Sequence, residues 1–145
     1  MSYHAITIAK HLTLMAEQRG RQLTHMQLQK LVFLAHGYHL GAYGQPLIID
    51  AVVSWQYGPI IPALYRELKW FRGDTIAPLR GPAPMRKDSL QLLQAVFDGY
   101  GALTGPALSS LTHQPGSPWA QVWQAHLCGG SSQIPDALLA HHYAV

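Results

Sequence analysis

The sequence has little acid. Seven Asp and Glu face ten Lys and Arg, and charged residues make up only 12% of the 145 positions. Soluble domains usually carry about 25%. With so few carboxylates no paired-carboxylate site is visible, and Asp50 and Glu67 meet only if the fold brings them together. Cysteine is nearly absent: Cys128 stands alone and forms no internal bridge, which fits a reducing, cytoplasmic setting. No apolar run approaches the ~18 residues of a membrane span, and the N-terminus lacks a signal-peptide layout. There is no G-x-G-x-x-G, P-loop, H-E-x-x-H or C-x-x-C. The ten bases are scattered, Arg19/Arg21 and Arg86/Lys87 being the closest groupings, so no nucleic-acid partner is expected.

What is present is apolar. Hydrophobic and aromatic residues reach 48%, and at this length a domain buries about 70% of its unfolded surface without disulfide or metal. Low charge with that much apolar surface also predicts exposed apolar patches, which often mark partner sites. The chain reads as one domain, 1–145, without repeat or linker.

Helical spacing of Ala5, Ile8, Ala9, Leu12, Met15 and Ala16 predicts a first helix over 5–19, stopped by Gly20. Thr24 and Gln27 form a T-x-x-Q capping box flanked by Leu23 and Leu28 at staple positions. A second helix follows over 25 to about 40, ended by Gly41 and Gly44. Residues 47–53, LIIDAVV, predict one or two short strands before a Gly58-Pro59 turn. Pro62 opens a third helix bearing Leu64, Leu68 and Phe71, and 72–86 is a Pro- and Gly-rich loop. Asp88 is expected to cap a fourth helix. Shorter helices are expected at 106–112 after Thr104, from Ser117-Pro118, and over 135–143, with a Gly-Gly-Ser-Ser turn at 129–132 between the last two. The fold class is therefore mainly α, a single compact domain of about six helices with a small β-hairpin or short strand element.

Nine histidines invite a metal or catalytic reading. His36 and His39 are spaced i, i+3, yet an open zinc site needs about three protein ligands and no further set is visible. The ordinary reading puts one of the pair at the core edge and the other in solvent, with His141 and His142 also solvated. Cys128 near His126 is better read as a small residue at a helix end than as a dyad. Neither a metal nor a cofactor is expected, and no catalytic residues are assigned. Two stretches rise above this background. In "SWQYGPIIPALYREL", Trp55 and Tyr57 precede Gly58-Pro59 at what reads as a structural corner packed on the second helix. In "LTHQPGSPWAQVW", His113 leads through a rigid loop to Trp119.

In combination, "LTHMQLQKLVFLAHGYHL" (23–40), "PLIIDAVVSWQYGPIIPALYRELK" (46–69), "LTHQPGSPW" (111–119) and "IPDALLAHHY" (134–143) resemble the Panacea domain of SocA-like antitoxins, a group often found in phages. The matching positions are Gln27, Lys30, Trp55, Tyr57, Gly58, Pro59, Tyr65, His113, Pro118 and Trp119. The resemblance implies a non-enzymatic, predominantly helical protein that neutralises a partner toxin, its cognate partner encoded next door, by direct binding or as an adaptor to a Clp-type protease. It brings no catalytic set. Structural roles are expected for Gln27, Lys30, Gly58, Pro59, His113, Pro118 and Trp119, and partner contacts for Trp55, Tyr57, Tyr65, Arg66, Trp70 and Arg72. The 72–86 loop and Ile60-Ile61 depart from the family pattern. Two other readings remain: a ligand- or metal-binding domain or enzyme using a His36/His113/Trp55 pocket, and a DNA-binding regulator of its own operon.

Overall fold

A computed structural model describes residues 2–56, 58–125 and 132–144. Its described elements are seven helices and a few short strands. α1 spans Ala5–Gln18 and buries all six residues of the expected stripe. Gly20, at φ +67°, turns the chain away. β1 (Leu23–Thr24) leads into α2 (His25–Tyr43), whose Thr24/Gln27 capping box is formed in both directions.

α2 is the axis of the fold. Leu28 to Gly37 are all buried, and α1, α3, α4, α5 and α7 pack around it. A helix with neighbours on every side carries no single apolar stripe. It also runs through Gly41 and stops only at Gly44, which adopts the left-handed conformation at φ +66°. Gly41 is therefore no helix stop. A Cβ there would lie 2.2 Å from the Tyr143 carbonyl oxygen, so glycine is what lets the chain end of α7 cross α2.

The hairpin sits further along than 47–53. β2 (Val53–Trp55) pairs antiparallel with β3 (Gly58–Ile60), and β5 (Ser132–Gln133) adds to the other edge of β2. Gly58 and Pro59 are thus strand residues opposite Trp55 and Ser54. The LIIDAVV segment is used otherwise: Ile48 bridges Tyr3, and the Asp50 carboxylate accepts the Ala5 N–H at 2.7 Å, capping α1 rather than meeting Glu67. Side-chain alternation cannot report either role, because both partners lie over forty residues away. α3 (Pro62–Leu68) continues into a 3-10 turn over Lys69–Phe71, and β4 (Thr75–Ile76), inside the expected loop, pairs with β1.

α4 (Lys87–Tyr100) begins one residue before the expected cap. Arg86 occupies the N-cap, and Asp88 lies in the first turn, where its carboxylate accepts the Ser89 N–H at 2.8 Å. α5 (Gly105–Thr112) is capped by Thr104, and α6 (Pro118–Ala125) by Ser117, whose hydroxyl accepts the Ala120 N–H. α7 (Asp136–His142) returns along α2. The expected turn at 129–132, His126 and Cys128 fall outside the described residues, except for Ser132 in β5. One continuous apolar core joins Leu12, Leu31, Phe33, Leu64, Phe97 and Leu108.

Candidate functional site

The β2–β3 hairpin is held against α2 by two polar side chains from successive α2 positions. Gln29 clamps the Ile61 backbone: its Oε1 accepts the Ile61 N–H at 2.9 Å and its Nε2 donates to the Ile61 carbonyl at 3.2 Å. Lys30 donates from Nζ to the Pro59 carbonyl at 2.7 Å. Gly58, at φ +119°, occupies a conformation that side chains avoid. A Cβ there would stand 3.2 Å from Lys30 Nζ and 3.5 Å from His113 Nδ1. Glycine at 58 is required for its backbone angle, and its missing side chain leaves room for Lys30 Nζ.

From the far side of the hairpin, the Trp119 indole N–H donates to the Trp55 carbonyl at 2.5 Å. The Trp119 ring stacks on Trp123 and meets His113 edge-on, with centroids 5.5 and 5.3 Å away. His113 Nδ1 lies 3.5 Å from the Ser109 hydroxyl. Lys30, Gly58, Pro59, His113 and Trp119, distant in sequence, therefore meet at one corner packed on α2. Gln27 works elsewhere, capping α2 and donating to the Leu103 carbonyl, and Pro118 begins α6.

Between α2, the hairpin, α3 and α5 lies a cavity of about 250 Å³, lined among others by His25, Lys30, Trp55, Tyr65 and Arg72. Trp55 meets Tyr65 edge-to-face at 5.2 Å, and Tyr65 leans on His25 at 5.3 Å. Burial lowers the Lys30 pKa to about 8, because a charged ammonium is poorly solvated there. Burial, and then the Lys30 charge, lower that of His25. Since Gln29 Nε2 is a donor, His25 Nε2 at 3.2 Å accepts from it, which makes His25 neutral with its proton on Nδ1.

The residues expected to contact a partner fall into two groups. Trp55 is half-buried at the cavity, whereas Tyr65, Arg66, Trp70 and Arg72 are exposed along α3 and the turn after it. Trp70 is 78% exposed, with the Lys69 ammonium 5.0 Å from its ring. Tyr57 lies outside the described residues. The residues around the Trp55 cavity include His25 but neither His36 nor His113. His36 and His39 are both buried, contrary to the expectation that one is solvated. His36 accepts backbone N–H groups of Leu47 and Ile48 on Nδ1 and donates from Nε2 to Asp136, while His39 Nδ1 donates to the Gln45 carbonyl. Their ring nitrogens are thus engaged in holding the fold. No group of three or more potential metal ligands occurs among the described residues, and no helix is long and apolar enough to cross a membrane. A wider groove of about 470 Å³ between α2, α4 and α7, walled by Tyr38, Val96, Tyr100 and Tyr143, contains none of the motif residues.

The sequence reading missed His25, Gln29 and Ser109 as neighbours of this site. One signal was available: Lys30 is a cation inside the apolar run from Leu28 to Ala35, at a position where a helix in the core would carry an aliphatic residue.

A helical domain organised around a hairpin locked by Lys30, His113 and Trp119 has a counterpart among known families. The Antitoxin SocA-like, Panacea domain family matches residues 28–120, and the chain belongs to it. The matched span holds every position named for the resemblance except Gln27. Antitoxin SocA of Caulobacter vibrioides (strain NA1000 / CB15N) is 26% identical over 109 residues, covering 67% of this chain and 58% of that protein. The chain thus spans less than two thirds of that relative. No solved structure matches it.

Proposed function

We propose that this chain is an antitoxin that neutralises a partner toxin by direct protein–protein contact, without catalysis, and that α3 with its following turn carries the contact. Membership of an antitoxin family supports the role. The observation that carries the surface is Trp70, a large ring left 78% exposed beside Arg66, Lys69 and Arg72. Interface energy concentrates in a few Trp, Tyr and Arg anchors. A stable complex buries about 1,600 Å², so α3 would supply the centre of the interface and neighbouring surface the remainder.

Co-expression with the adjacent gene tests this. The neighbour alone should arrest growth, and this chain should restore it. A harmless neighbour, or one that stays toxic beside this chain, overturns the proposal. Toxin half-life in the same cells distinguishes occlusion, which leaves it unchanged, from delivery to a Clp-type protease, which shortens it.

A further inference from the structure

Among the described residues, Lys30 is a buried cation with no carboxylate paired to it. It is only 2% exposed, and none of the ion pairs among the described residues includes it. An ammonium has three N–H donors, and the Pro59 carbonyl is the one acceptor found for it among the described residues. Buried lysines are ordinarily paired, because an isolated charge in the interior is costly. Lys30 also lines a cavity that reaches the surface at Tyr65 and Arg72, and no Asp or Glu lines that cavity with it. Its remaining walls are largely apolar: Trp55, Tyr65, Met26 and Ile60. Arg72 holds the rim with φ +52°, a left-handed angle rare outside glycine. The site therefore combines two cations with an aromatic wall.

We propose that this cavity binds a carboxylate carried on an apolar body, and that its occupant is the apolar C-terminal residue of a polypeptide. The carboxylate lies against Lys30 and Arg72, and the side chain packs on the wall formed by the touching Trp55 and Tyr65 rings with Met26 and Ile60. The volume favours this occupant. At about 250 Å³ the cavity falls below the ~300–1,000 Å³ of sites for drug-sized ligands and suits one residue. An internal Asp or Glu brings only a short stem and two flanking chain segments, leaving the aromatic walls uncovered. A chain end brings anion and apolar surface together, and capture of a terminal carboxylate is a recurring mode of peptide recognition. Who supplies the chain end rests on the antitoxin reading, the partner toxin being the natural source.

The test uses the purified full chain and two probes, N-acetyl-Gly-Phe with a free carboxylate and its C-terminal amide. Amide-resolved NMR titration should show saturable shifts at His25, Lys30, Trp55 and Tyr65 with the acid, and at least tenfold weaker binding of the amide. Lys30→Met keeps the apolar stem and removes the charge, so it should remain folded and bind acid and amide alike. Arg72→Gln, at an exposed position, should weaken the acid several-fold. Equal binding of acid and amide to the native chain, no shifts with either, or unchanged acid preference in Lys30→Met overturns the proposal. Phenylacetate tests a small-molecule source, and binding tighter than the peptide acid overturns the chain-end assignment. Failure here with successful neutralisation in co-expression removes the cavity proposal alone. Peptide binding beside a harmless neighbour gene removes the antitoxin reading alone.

Discussion

Among the side chains, His36 carries a clear pH dependence. It is 1% exposed, and burial lowers its pKa despite the opposing hydrogen bond and charge of Asp136, with a smaller lowering contribution from His39. His25 is lowered too. In the unfolded chain both titrate near 6.5, so below that pH the unfolded state binds more protons and stability falls. Urea midpoints should therefore drop between pH 7.5 and pH 5.5, and His36→Gln, which keeps a donor and an acceptor, should reduce that drop. An equal drop in the variant would show that other groups carry it. Lys30 acts in the alkaline window. Its pKa is lowered to about 8, so between there and 10.5 the unfolded state again holds more protons, and stability rises with pH until both states are neutral. At this scale the sequence identified which residues were unusual but not their surroundings. The i, i+3 spacing of His36 and His39 is the same whether the pair is solvated or buried; burial decides the state of His36, against the opposing pull of Asp136 a hundred residues away.

At the scale of elements, the contact between α2 and α7 depends on absent side chains. A Cβ at Gly37 would lie 2.6 Å from the Tyr143 ring, and one at Gly41 would strike the backbone of Tyr143. The two glycines, one turn apart, form the notch that receives the end of α7. Gly41→Ala should raise helix propensity by up to ~1 kcal/mol yet destabilise overall by about 1–3 kcal/mol through overpacking. Hydrogen exchange should quicken in α7 while the centre of α2 stays protected; a stabilised variant would refute the notch. Helix starts were legible because capping chemistry is local: Thr24 with Gln27, Thr104, and Ser117 with Pro118 all act within three residues. Strand positions were not. β1 pairs with β4 and β2 with β5 across more than fifty residues, and a two- or three-residue strand has no periodicity to read.

At the scale of the whole molecule, the fold-locking residues and the proposed partner surface occupy opposite ends of one segment. The strands Val53–Trp55 and Gly58–Ile60 are locked to α2 and α6, whereas Tyr65, Arg66, Trp70 and Arg72 are exposed. Trp70→Ala should therefore leave stability within about 0.5 kcal/mol and weaken toxin binding by at least ~2 kcal/mol, about 30-fold. Calorimetry of unfolding and of binding on the same variant checks both halves, and an unchanged affinity moves the interface off α3. By itself the sequence determined the helical class, most helix starts and the residue types of the family motif, because these follow from local propensity, capping and composition. Only the tertiary structure decided that Lys30, Gly58, His113 and Trp119 share one corner, and that a cavity lined by the buried Lys30 opens beside it. Such neighbours are set by how α2, the hairpin and α5 pack, and packing joins residues whose separation along the chain carries no record of it.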